Sequence, residues 1–372
     1  MTPRAAPLWL AIPGRFARLS RGRARIAIGV VVALLIVSLS ALAIPDPTPV
    51  TAASRANQQE TDLVLYEKIV STLRQGGEDY YHVAADALRG GDYPLRPFVV
   101  FRLPALAVIE AALPPMVLVG LLYALAGLTA AAWAVRIGPV LPALAPRVAL
   151  LVLMAGSMLA FLQPGLIAFH EIWAGLLVAL SLALWRPDRW VESAAIALAA
   201  MLIRETAVLY ALAMAVFAWR EGNRRERIGW SVAIGLFVAM LGVHAWGVSG
   251  VTGPTDPASP GWLGLWGPGL FVKGVTLATG LQMLPLCAAA PLVALALVGW
   301  ASWNDPLAAR MVAVVLAYAV AIALFARLDT FYWALMVAPL FLVGLVFVPD
   351  GLRDLARQAL DRRRVRVQRI SR

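Results

Sequence analysis

RGRARIAIGVVVALLIVSLSALAI, residues 21–44, sets Arg21, Arg23 and Arg25 against an uncharged run from Ile26 to Ile44. A helix over that run rises about 1.5 Å per residue and reaches the roughly 30 Å of a bilayer core. Arg4, Arg15 and Arg18 lie further upstream. An arginine-rich flank before an apolar span places that flank on the cytoplasmic side. Ala41-Leu42-Ala43 resembles a signal-peptidase site, so cleavage there stays open. A retained span is preferred because the run is long enough to cross. Either way residues 45–97 fall outside.

The whole chain fits this start. Of 372 residues 61% are hydrophobic and 14% charged, and mean hydropathy is +0.78, against about half and a quarter in soluble domains. Long apolar runs of this kind read as an all-α polytopic membrane protein. After residue 44, Met116 to Val135 is a span. Val148 to Trp185 is two, broken at Gln163-Pro164-Gly165 and His170-Glu171. Val191 to Trp219 is two more, split at Arg204-Glu205. Ile228 to Val248, Leu281 to Ser302, Met311 to Ala326 and Phe331 to Val348 complete ten. Val99 to Leu113 and Phe271 to Thr279 are short and read as pieces lying in the interface.

This divides the chain into a basic cytoplasmic N-terminus (1–25), one transmembrane domain (26–348) and a basic cytoplasmic tail (349–372). Residues 45–115 form a long first outer loop with interfacial helices. The net charge is +11, which taken alone suggests nucleic acid. Its distribution argues otherwise: 23 of the 32 basic residues fall on the inner side. The excess is topology, so membrane lipids and not nucleic acid are the expected contacts. Cys287 is the only cysteine, and His82, His170 and His244 are far apart. No His/Cys metal spacing occurs.

Ionisable groups at membrane depth are costly, and they are functional or paired. Here Arg102, Glu110, His170, Glu171, Arg204, Glu205, Arg327 and Asp329 all fall at outer ends. The reading is a wet cavity sunk into the outer face. The alternative is internal pairing, such as Arg204 with Glu171. In the outer loop Asn57 and Glu60 have N-cap spacing, and Gly76-Gly77 ends the helix. At 100° per residue Asp62, Tyr66, Ile69 and Leu73 share one face; Glu60, Glu67, Ser71 and Arg74 share the other. Asp62 therefore heads the apolar face and is the candidate working carboxylate, with Glu60 a solvated cap. A second helix runs from Asp79 to Leu88, with Tyr80, Val83 and Ala87 on its apolar side and His82 on the surface. Tyr80-Tyr81, Trp262 and Trp266 read as interface anchors before sugar-stacking groups.

Glu60-Thr61-Asp62, Gly77-Glu78-Asp79-Tyr80-Tyr81, Tyr93-Pro94, His170-Glu171 opening a span and Arg204-Glu205 splitting a hairpin together resemble the GT-C superfamily of integral-membrane glycosyltransferases. The members they resemble are bacterial and mannosyltransferase-like. The resemblance implies a multi-pass protein of the bacterial plasma membrane with its active site on the outer face. It implies sugar transfer from a polyprenyl-phosphate donor to a glycan or lipid acceptor. Asp62, with Glu60 beside it, would supply the catalytic carboxylate, acting as general base. Arg204, Arg327, Arg102 and Lys273 would meet the donor phosphate. His170, Glu171, Glu205, Asp329, Tyr66 and Tyr80 would support the cavity.

No cofactor is expected; Mg or Mn at Glu60 and Asp62 is disfavoured because the helix turns the two carboxylates apart. A transporter or flippase for an anionic lipid or lipid-linked sugar is the runner-up, since broken helices and intramembrane charges suit transporters. A non-catalytic assembly subunit is the third reading.

Overall fold

Prolines and short polar caps fix where the helices begin. In the computed structural model, which describes residues 7–46, 62–77 and 79–361, the described residues are all-helical with no strand. The α-helices are α1 (Arg21–Ser38), α2 (Asp62–Arg74), α3 (Tyr80–Gly90), α4 (Pro104–Ala112), α5 (Pro115–Ile137), α6 (Leu144–Ser157), α7 (His170–Leu184) and α8 (Val191–Ile203). They continue as α9 (Val208–Arg220), α10 (Arg224–Ser249), α11 (Pro268–Ala278), α12 (Leu286–Ser302), α13 (Pro306–Phe325), α14 (Ala338–Phe341) and α15 (Val348–Leu360). Pro104, Pro115, Pro268 and Pro306 open α4, α5, α11 and α13, where a missing N–H costs nothing. Asp79 caps α3, its carboxylate accepting from the Tyr81 N–H at 2.8 Å. Asp305 caps α13 in the same way, accepting from Leu307 N–H at 2.8 Å.

Among the described residues four helical stretches are long and apolar enough to cross a membrane: Arg21–Ala43, Pro115–Val140, Arg224–Ser249 and Pro306–Phe325. A fifth results if Leu328–Met336 and Ala338–Leu360, bent by 55°, count as one. The other apolar helices, Leu144–Ser157, His170–Leu184, Val191–Ile203, Pro268–Ala278 and Leu286–Ser302, have 10–17 residues each. The breaks fall where the sequence puts them. Arg204 is extended between α8 and α9, and a pair of 3-10 turns spans Leu159–Leu162 and Pro164–Leu166 ahead of α7.

Two segments differ from their sequence reading. The segment 271–279, expected in the interface, lies on α11 as far as Ala278, and α11 is enclosed by protein: Leu270, Phe271, Val272, Val275 and Ala278 are all buried. An eleven-residue apolar helix is too short to span, and length alone cannot tell a surface helix from a core one. The last apolar run does not form one helix from Phe331. It starts as a 3-10 helix, Leu328–Met336, and continues through α14 into α15. So 348–360, read mostly as tail, form a helix whose Leu355 and Ala359 pack on Ala24 of α1. Asp350 of α15 is buried and accepts from three successive backbone N–H groups, Leu8 at 2.5 Å, Trp9 at 2.8 Å and Leu10 at 3.0 Å.

The main core gathers around α7 and α11. Backbones meet closely there: a Cβ on Gly175 of α7 would lie 2.5 Å from the Leu335 carbonyl oxygen. That contact seats the 3-10 helix 328–336 against α7. A second core joins α2, α3 and α4 with Ala168 and Val248. It caps the end of the bundle made by the start of α7 and the ends of α8 and α10.

Candidate active site

Within the described residues α2 starts at Asp62; the expected cap at Asn57 and Glu60 lies outside them. The helical spacing holds. Leu65, Tyr66 and Ile69 are buried, while Glu67, Ser71 and Arg74 face solvent. Asp62 sits at the head of that apolar face. Its Oδ2 accepts a hydrogen bond from the Tyr332 hydroxyl at 2.6 Å. A charge-assisted bond this short orients the carboxylate.

One turn along, the Tyr66 hydroxyl accepts from Arg102 Nε at 2.7 Å. Arg102 is held by its backbone as well, its carbonyl taking the Tyr80 hydroxyl at 2.6 Å. The Arg102 guanidinium lies 3.5 Å from Glu205 Oε1. Glu205 in turn contacts Arg204, and Arg204 Nε lies 2.6 Å from Glu171 Oε1. The last is an ion pair by distance whose N–H is not aligned as a hydrogen bond. Charges therefore alternate inward from Asp62: Arg102, Glu205, Arg204, Glu171. The pairing of Arg204 with Glu171 that the sequence offered as an alternative to a cavity role is present. Arg204 is 1% exposed, and its guanidinium lies 5.8 Å from the Trp333 ring centroid. Tyr66 stacks edge-on with His170 at 5.0 Å, and Phe169 meets Tyr332 at 5.3 Å.

Two cavities meet at Asp62. The smaller, about 310 Å³, includes Tyr66, Tyr80, Arg102, Glu110 and His170 in its wall. The larger, about 1340 Å³, includes Asp46, Asp92, Gln163, Trp266 and Asp329. Asp62, Arg327, Tyr332, Tyr93 and Trp262 belong to both walls. Of the four basic residues expected at a phosphate, Arg102 and Arg327 line these two cavities, and Arg204 and Lys273 line neither. Arg327 is 36% exposed and makes a bidentate pair with Asp329 at 3.2 and 2.8 Å. Arg204 lies behind the wall with Glu171 and Glu205. Lys273 is buried on α11, where its ammonium donates to the Ile44 carbonyl at 2.6 Å and pairs with Asp46 at 2.8 Å. It fixes the chain just after the helical stretch Arg21–Ala43. Among the described residues no three His, Cys, Asp or Glu side chains converge as a metal site.

No protein-family model, curated protein or solved structure matches the chain. The site's chemistry therefore stands on its geometry.

Tyr332 and Thr330 were missing from the sequence reading. Thr330 Oγ1 accepts from the Arg327 N–H at 2.9 Å and donates back to the Arg327 carbonyl at 3.1 Å, closing the turn that presents Tyr332. Tyr332 sits 270 residues from Asp62, so no local spacing could pair them. The one available signal was its place in an aromatic triplet, Phe331-Tyr332-Trp333, just after Arg327 and Asp329.

Burial drives the Tyr66 phenol well above its usual range, so it stays protonated beside Arg102. Burial also pushes the Glu110 carboxyl from 4.5 up to about 8, with Arg74 pulling it down and Glu67 up. The sign follows from proton binding. A folded state that keeps this proton gains stability at low pH and loses it as pH rises from 4.5 towards 8. The loss is on the order of a few kcal/mol. Thermal unfolding of wild type and Glu110→Gln across that window is expected to show a falling wild-type stability and a flatter variant. Parallel profiles would mean that Glu110 is charged throughout.

Proposed function

We propose that the protein is a glycosyltransferase that moves a sugar from a polyprenyl-phosphate donor to a glycan or lipid acceptor, with Asp62 as general base. The observation that carries this reading is the junction of two cavities on Asp62, Tyr332 and Arg327. A transfer reaction must bring two substrates to one carboxylate, and this layout gives each its own approach. Asp62 takes the proton of the acceptor hydroxyl as its oxygen bonds to the anomeric carbon. The bond from that carbon to the phosphate oxygen breaks, and its electron pair leaves with the lipid phosphate. Arg327 and Arg102, the cations on the cavity walls, meet that anion. Tyr332 holds Asp62 in place. In this reading the site opens at the outer face of a bacterial plasma membrane, with ten crossings and both termini inside.

The test uses purified protein in proteoliposomes with a panel of labelled polyprenyl phospho-hexoses and candidate acceptors. Transfer releases unglycosylated polyprenyl phosphate and labels the acceptor. Movement of intact donor across the bilayer with no chemical change would replace the transferase by a flippase.

A further inference from the structure

Glu110 and His170 have no part in that reaction, yet both are buried on the wall of the smaller cavity. Glu110 is 2% exposed and its Oε1 has no hydrogen-bond partner. His170 is 3% exposed, and neither ring nitrogen has a hydrogen bond of good geometry. Buried polar atoms are almost always satisfied, and leaving one bare is costly. Two in one cavity point to a ligand that supplies the missing donors and acceptors. The rest of the wall narrows its chemistry. Away from Asp62, Arg102 and Arg327 it is apolar at Leu65, Ile69, Ala84 and Leu88, and Tyr66 and Tyr80 add ring faces. A polar rim on a ring with apolar faces fits this lining, and about 310 Å³ is at the small end of ligand pockets.

We infer that the smaller cavity holds a single saccharide ring, with Glu110 and His170 hydrogen-bonding its hydroxyls. The inference rests on the transferase reading for its choice of a sugar. The ring is either the one the donor delivers or the terminal ring of the acceptor, and the probes below separate the two.

Full-length protein in nanodiscs is titrated with citronellyl phospho-hexoses, sugar-free citronellyl phosphate and octyl hexosides. Glu110→Leu removes the hydrogen-bonding group and is expected to weaken one sugar-bearing class about tenfold, the worth of one good hydrogen bond. Binding of citronellyl phosphate stays at the wild-type level. Loss confined to the phospho-hexose assigns the ring to the donor, and loss confined to the octyl hexoside assigns it to the acceptor. Glu110→Gln, which keeps a donor and an acceptor, stays within about threefold of wild type. If Glu110→Leu does not fold, His170→Phe carries the same comparison.

Wild type that binds no sugar-bearing probe overturns the inference. So does a folded Glu110→Leu that binds every probe normally, or one that loses citronellyl phosphate as well. If the wild type transfers no sugar while Glu110→Leu still loses a sugar probe, the pocket stands and the transferase reading falls.

Discussion

Asp62→Asn is expected to lower sugar transfer by about 10²–10⁴-fold, the usual share of a general base. Asn is nearly isosteric with Asp, and its amide oxygen can still accept from the Tyr332 hydroxyl that holds Asp62 at 2.6 Å. The fold and the donor affinity should therefore survive while the rate falls. Single-turnover transfer with saturating donor is the measurement, with donor binding measured alongside. A variant that binds donor and transfers at the wild-type rate would remove Asp62 from the chemistry. Tyr332→Phe keeps the ring on Phe169 but drops the hydrogen bond, so it should cost about tenfold through orientation alone.

Arg204→Met is expected to act on stability instead. Glu171 is fully buried, and Glu205 is held by Arg204 and Arg102. Removing Arg204 leaves the buried Glu171 carboxyl without its ion-pair partner, a loss of about 3–5 kcal/mol for a broken buried pair. Unfolding in detergent reads this directly. The double variant Arg204→Met, Glu171→Gln should recover much of the loss, because the stranded carboxylate goes with the arginine while Glu205 keeps Arg102. If Arg204→Met instead unfolds like wild type and weakens only donor binding, Arg204 meets the phosphate as the GT-C resemblance implies. Arg102 and Arg327, which do line the cavities, are the positions where donor affinity should respond.

Helix spacing carried the local part of this site. The face headed by Asp62 and Tyr66, and the break at Arg204-Glu205, were legible because 100° per residue and a charged pair inside an apolar run are local signals. What joins these pieces is long-range. The pair Asp62–Tyr332 spans 270 residues, and the bond from Lys273 to the Ile44 carbonyl spans 229. A lysine on a short apolar helix reads equally as a phosphate ligand or as a clamp on a distant backbone, and only packing separates the two. The enclosed position of α11 was hidden for the same reason. An eleven-residue apolar helix carries no mark of what covers it.

The grip of Asp350 on residues 8–10 joins two stretches of chain about 340 positions apart. At roughly 5–20 residues per second the ribosome needs about 17–70 s to cover that distance. For that time Leu8, Trp9 and Leu10 are on offer without their carboxylate, and α1 has no α15 to lie against. Residues 8–10 and α1 are thus made long before the helix that locks them, so truncating the chain before residue 350 releases them as well.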